Sequence, residues 1–354
     1  MKLLAFRQMI PILLAFGLLT ACSDGNAGST AVNPKSQTYF IFETVVTVRI
    51  YDDRAEKKHF EEIDATLHRI DKAMNRQLEG SEIDQVNRQA GLQAVQVSPE
   101  TFGVVRQALA YAEASGGKFD PTVGPLVDLW GIGSEHPRVP SKDEIDRTLA
   151  LIDYREVELN EAESSIYLKK PGMSLDLGAI GKGYAADVIA ADLQEAGFES
   201  AIIDLGGNVL AMGEKPKGSD WLIGIQDPSE QRGSHIGTVP VKDKTIVTSG
   251  VYERYFTDNG NHYHHIFDPD TGYPTRNELL SVTIVTDDST HADAMSTSVF
   301  ALGLTDGMRY IEERGDADAI FITRERDVYV TSGLEEAFRL TDEAYRMVES
   351  DTSA

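Results

Sequence analysis

The sequence predicts an α+β fold in one unit beginning near Thr38. Three observations carry that prediction. Short runs rich in β-branched and aromatic residues recur along the chain. Amphipathic stretches lie between some of them, but without the strict strand–helix–strand rhythm of a doubly wound parallel sheet. No linker-like composition interrupts the chain after Gln37.

The elements follow in order. Thr38 to Tyr51 reads as a strand or a strand pair. Arg54 to Arg76 places Phe60, Ile63, Leu67, Ile70 and Met74 at spacings of three and four, which predicts a helix buried on one face. Ser98-Pro99 opens a second helix and Gly116-Gly117 closes it. Ser141 and Glu144 have the spacing of a capping box before a third. Strand-like runs follow at Ser174 to Leu177, Ala201 to Leu205, Trp221 to Ile225, Thr245 to Thr248, His264 to Phe267, Leu280 to Val285 and Ala319 to Thr323. Helical stretches at Lys182 to Ala196, Ala292 to Leu302 and Thr305 to Arg314 alternate with them. No internal repeat stands out.

Charge and cysteine content narrow the function. The 354-residue chain carries a formal charge of -24. So acidic a surface argues against binding nucleic acid by phosphate neutralisation. The single cysteine, Cys22, excludes an internal disulfide or a cysteine zinc site. It follows a basic start with Lys2 and Arg7, an apolar run from Ile10 to Leu19, and Leu19-Thr20-Ala21. That layout is a secretory leader, and the run is shorter than the roughly 20 residues of a membrane span. Leu-Thr-Ala-Cys resembles a bacterial lipobox. Residues 1–21 are therefore expected to be a signal peptide, Cys22 a lipidation site, and 22–37 a flexible tether rich in Ser, Gly, Asn and Ala. The folded domain is expected over 38–345, with a disordered tail at 346–354. Location is then the cell envelope, lipid-anchored and facing the periplasm.

Five segments are candidates for chemistry. Lys118-Phe119-Asp120-Pro121-Thr122-Val123-Gly124 is a fixed turn with exposed backbone groups, or simply a loop between helices. Asp176-Leu177-Gly178-Ala179-Ile180-Gly181-Lys182-Gly183 runs from a strand through a Gly-rich turn into a helix. Its N–H groups and Lys182 would suit a pyrophosphate. Gly181 to Ala186 also matches GxGxxA weakly, so a nicotinamide-type dinucleotide site stays open. Asp204-Leu205-Gly206-Gly207-Asn208 is a strand ending at a glycine pair. Thr248-Ser249-Gly250 leads to Tyr263-His264-His265-Ile266, where adjacent histidines on a strand face opposite ways. One could be structural while the other meets a ligand. Asp293 and Thr297, four apart on a helix, share a face and offer hard oxygens suited to magnesium.

Together and in this order, these segments resemble the ApbE family of FAD:protein FMN transferases, from about Phe42 to Gly303. The resemblance implies a single compact domain related to the T-fold, with a mixed, largely antiparallel sheet and flanking helices. It implies Mg²⁺-dependent cleavage of FAD, release of AMP, and attachment of FMN through a phosphoester to Thr or Ser of flavoprotein subunits in membrane redox complexes. It further implies that Mg²⁺ is held by Asp293, Thr297 and the Ala179 carbonyl. Phe42, Lys118, Phe119, Asp120, Asp176, Lys182 and Ile266 match flavin- or nucleotide-contacting positions. His265 matches the motif histidine, for proton transfer or phosphate placement. Gln77 stands where the family often has a stacking Tyr, which implies weaker FAD retention and raises FAD hydrolysis, or FAD binding without chemistry, as the alternatives.

Overall fold

A computed structural model describes residues 33–348. Its centre is a nine-stranded sheet whose spatial order follows the chain: Lys35–Ile41, Thr44–Ile50, Ala201–Leu205, Asn208–Met212, Lys244–Gly250, Leu279–Thr286, Asp318–Thr323, Asp327–Val330 and Arg346–Met347. Neighbours pair antiparallel, except that the last two are parallel. The helices are α1 (Lys57–Met74), α2 (Glu82–Arg88), α3 (Pro99–Ala114), α4 (Gly124–Trp130), α5 (Lys142–Leu149), α6 (Gly181–Glu195), α7 (Ser289–Leu302) and α8 (Leu304–Arg314). The expected α+β class and largely antiparallel sheet are what the chain forms.

Period-two alternation divides the sheet between two covers. Ala201, Ile203 and Leu205 face a core with α1, α3 and α6, while Ile202 between them faces the other side. Phe321 packs with Met295, Val299 and Phe300 of α7, and its neighbours Ile320 and Ile322 face away. That second face is covered by a small sheet of Trp221–Gln226, His235–Val241 and Arg339–Leu340. A further core around Leu126, Trp130, Ile145, Tyr263 and Phe267 joins α4 and α5 to the hairpin Tyr255–Asp258/Asn261–His264. Each fully buried side chain of this size contributes roughly 1.5–3 kcal/mol.

Four expectations change. The tether gives way to structure at Lys35, before Thr38, because Lys35 to Gln37 pair with Ile50 to Val48. The expected tail begins in a strand, since Arg346 and Met347 pair with Asp327 and Val328. Ser174 to Leu177 is not a strand beyond one bridge from Ser174 to Val123. The side-chain amide of Asn87 takes the place of a neighbouring strand, accepting from the Leu175 N–H at 2.7 Å and donating to the Leu175 carbonyl at 3.0 Å. The run His264 to Phe267 shifts to Asn261–His264, leaving His265 in a bend. The leader, Cys22 and residues 349–354 lie outside the described residues.

Candidate active site

The site is organised where α6 and α7 begin. Leu177 accepts the Gly181 N–H at 2.8 Å, and the Gly183 N–H points instead at α7, donating to Asp293 at 2.9 Å. Two of the amides expected to be open to an anion are thus already in use. Asp293 places its negative charge where the α6 dipole favours it. Asp187 of α6 returns the arrangement: it accepts the N–H groups of Ser289 and Thr290, at 2.9 and 2.7 Å, and the Thr290 hydroxyl at 2.6 Å. Burial pushes Asp187 up to about 6. Each helix therefore supplies a carboxylate to the start of the other. Gly183 makes this approach possible, because a Cβ there would lie 2.1 Å from the Ser289 carbonyl oxygen.

Asp293 is only 4% exposed. A buried carboxylate needs partners, and Lys182 Nζ lies 3.2 Å from Oδ1 while also donating to the Gly178 carbonyl at 3.2 Å. Lys182 thereby ties Asp293 to the turn that carries Ala179. Thr297 follows one turn along α7, its Oγ1 3.4 Å from Ser249 Oγ, which in turn meets Ser296 Oγ at 2.9 Å. Asp293 and Thr297 present a carboxylate and a hydroxyl, both hard oxygens, one turn apart on α7. Magnesium suits such a set, since it commonly binds through one or two carboxylates plus substrate phosphate oxygens. The chemistry of the Asp293 carboxylate and the Thr297 hydroxyl is of the kind that ion takes.

The two adjacent histidines differ in setting, His264 ending the strand and His265 lying in the bend after it. His264 is buried, its Nε2 2.9 Å from the Thr275 carbonyl, and desolvation lowers its pKa to about 4. His265 is half-buried. Its surroundings push its proton affinity well down: desolvation first, then the Arg254, His264 and Lys182 charges. The Lys182 contribution places His265 within electrostatic reach of the α6 start. A neutral imidazole is the form able to accept a proton.

Other expected residues support the site from within. Lys118 is committed to Asp268 at 3.0 Å and Asp270 at 2.8 Å, clamping the loop after His265. Asp120 uses one oxygen for the Thr122 N–H and hydroxyl and the other for the Tyr154 N–H, so its carboxylate builds the turn. The Phe119 and Ile266 side chains lie in hydrophobic cores. Each of these side chains is engaged within the fold. Asp176 accepts the Gly178 N–H at 2.8 Å. Phe42 lies in the turn between the first two strands, packed on the α1 side. Gln77 is exposed after α1, beside Arg76. Two surface concavities, one around Phe198 and Met212 and one around Leu222 and His235, contain none of these residues.

Arg76 and Asp187 carried no signal in the sequence. Arg76 pairs with Asp128 at 2.6 Å, approaches Asp176 at 3.7 Å and reaches Ser174 Oγ at 3.3 Å. An unpaired arginine near a helix end looks like any surface cation until the fold brings Asp176 to it.

Comparison with known proteins identifies the family. A family model described as the ApbE family matches residues 42–321. An FAD:protein FMN transferase of Klebsiella pneumoniae is 40% identical over 76% of this chain and 83% of its own length. Another, from Treponema pallidum, is 35% identical over 91% of this chain and 93% of its own. The crystal structure of the ApbE protein of Thermotoga maritima superposes with a TM-score of 0.80 at 32% identity, covering 87% of this chain and all of that one. The chain belongs to the ApbE family.

Proposed function

We propose that this chain transfers FMN from FAD to Ser or Thr of acceptor flavoproteins, in a Mg²⁺-dependent reaction that releases AMP. The observation that carries the reading is the buried Asp293 held between Lys182, the Gly183 amide and the Gly178 turn, with Thr297 one turn further on. The family relationship supports FAD as substrate and a protein as acceptor.

The acceptor hydroxyl oxygen forms a bond to the FMN phosphorus as the bond from that phosphorus to the bridging oxygen breaks. AMP leaves with the bridging oxygen. His265 takes the hydroxyl proton, a role open to a neutral imidazole. Lys182 offsets negative charge on the pyrophosphate as it redistributes toward AMP. Asp293, Thr297 and the Ala179 carbonyl would hold Mg²⁺. The ion, once bound, offsets charge on phosphate oxygens. This also answers how so acidic a protein takes an anionic dinucleotide: positive potential is needed only locally. The lipobox-like Cys22 supports a lipid-anchored enzyme facing the periplasm, with subunits of membrane redox complexes as acceptors. Loss of labelled fatty-acid incorporation in Cys22→Ala tests that location.

The decisive experiment mixes protein, FAD, Mg²⁺ and a candidate acceptor domain. Mass spectrometry should find FMN added to one Ser or Thr, with AMP in equal amount. AMP without added mass would make the chain an FAD pyrophosphatase. FAD bound with neither product would make it a carrier.

A further inference from the structure

His265 stands in a bend beyond the end of its strand. One carbonyl holds both its backbone and its ring. The Arg254 oxygen lies 3.1 Å from the His265 backbone N and 3.2 Å from its Nδ1. A carbonyl can only accept, so Nδ1 carries the hydrogen in this contact and Nε2 keeps its lone pair. The position of the Arg254 backbone therefore sets which ring nitrogen is basic.

Arg254 is held from outside its own hairpin. Its Nη1 pairs with Glu43 Oε2 at 3.0 Å. Glu43 and Phe42 form the two-residue turn between the first strands, both with positive φ, +55° and +54°. A turn with two such residues normally uses Asn-Gly or Gly-Gly. Here bulky side chains keep the conformation, Phe42 packed on the core and Thr44 seated against Gly206, where a Cβ would come within 2.1 Å of Thr44 Oγ1. The turn that carries Glu43 is therefore held in place by its packing.

We propose that Glu43 and Arg254 form a clamp that holds His265 in its Nδ1–H tautomer, leaving Nε2 as the nitrogen that receives the acceptor proton. Glu43 and Arg254 are positioning residues, and the proposal rests on the reading of His265 as proton acceptor. The charged and titratable groups bearing on the ring are Arg254, His264 and Lys182, all of which disfavour its protonation.

The test compares wild type with Glu43→Gln, Arg254→Met, the swapped pair Glu43→Arg/Arg254→Glu, and His265→Asn, with thermal unfolding of each as the folding control. Transfer kinetics and ¹⁵N NMR of the histidine side chains are the readouts, the His265 signal being the one lost in His265→Asn. The single clamp variants should lower kcat roughly tenfold with the KM for FAD nearly unchanged. The swapped pair should recover most of the rate. The ring should be Nδ1–H in wild type and a tautomer mixture in Glu43→Gln. A raised KM for FAD with no rescue by the swap would mean that Arg254 meets the dinucleotide, overturning the clamp. An Nε2–H ring in wild type would also overturn it. Unimpaired transfer by His265→Asn would instead remove the base assignment, while the NMR tautomer would still judge the clamp on its own.

Discussion

The α6–α7 junction and the His265 bend are built by opposite means. At the junction two helices exchange carboxylates, Asp293 to the start of α6 and Asp187 to the start of α7, across a glycine too close-packed for any side chain. At the bend a half-buried ring hangs from a single carbonyl, stabilised by an ion pair open to solvent. In the proposed reaction, the difference follows from what each must meet. A carboxylate that holds a cation gains from burial, where charge interactions strengthen and geometry is fixed. A base serving the hydroxyl of another protein has to be reachable, so its precision comes from turns and ion pairs at the surface.

The largest expected effect tests the junction. Asp293→Ala should lower Mg²⁺-dependent AMP release by roughly 1,000-fold, as loss of charge stabilisation at a reacting phosphate does. A variant with activity near wild type would remove Asp293 from the metal site. The bend side is probed next through His264, which precedes His265 and is hydrogen-bonded to the Thr275 carbonyl. Its pKa falls from 6.5 to about 4 on folding. The unfolded chain then binds the proton more readily between these values, so stability is full above pH 6.5 and is lost as pH falls toward 4. The shift is equivalent to about 3 kcal/mol. Urea unfolding of wild type and His264→Gln at pH 7 and pH 4 should show their difference shrinking by about that amount. Parallel pH profiles would show that His264 is not held neutral.

What was legible in the sequence follows the same division. Elements written in local periodicity were found: the apolar stripe of α1, the Ser141–Glu144 capping box, and the shared face of Asp293 and Thr297. The fold class followed from them. Asp187 was not found as the partner of α7, because its role depends on residues about a hundred positions away. Nor was the Asn87 side chain that replaces a strand at Leu175, or Arg76 approaching Asp176. Lys118 and Asp120 were legible as members of a motif but not as scaffold, since spacing does not reveal which carboxylate or amide a side chain has already engaged.

Gly183→Ala sharpens the comparison by separating packing from charge. Its methyl would meet the Ser289 carbonyl oxygen at 2.1 Å, where the nearest atoms are all Ser289 and Thr290 backbone and no flexible side chain can move aside. Overpacking of this kind typically costs about 1–3 kcal/mol. Denaturant unfolding should show that loss, and AMP release should fall because Asp293 and Lys182 are pushed apart. Gly181→Ala, two residues earlier, meets nothing within 4 Å and should be nearly neutral. Equal behaviour of the two variants would mean that the helices are not locked at this point.

The smallest effect concerns Gln77, exposed after α1. Its side chain is exposed beside Arg76, which approaches Asp176 at 3.7 Å before the Gly178 turn. A tyrosine at this position would offer a ring to the flavin or adenine. A stacked ring is worth about 1–3 kcal/mol per base, and a solvent-open position should realise the lower end. Gln77→Tyr should therefore tighten FAD binding roughly fivefold to tenfold by fluorescence titration. Wild type should lose FAD on dialysis more readily than the variant. If hydrolysis competes with transfer because FAD is loosely held, the variant should also give more FMN on the acceptor per AMP released. An unchanged Kd with an unchanged product ratio would place the stacking surface elsewhere and leave the exposed Gln77 outside the site.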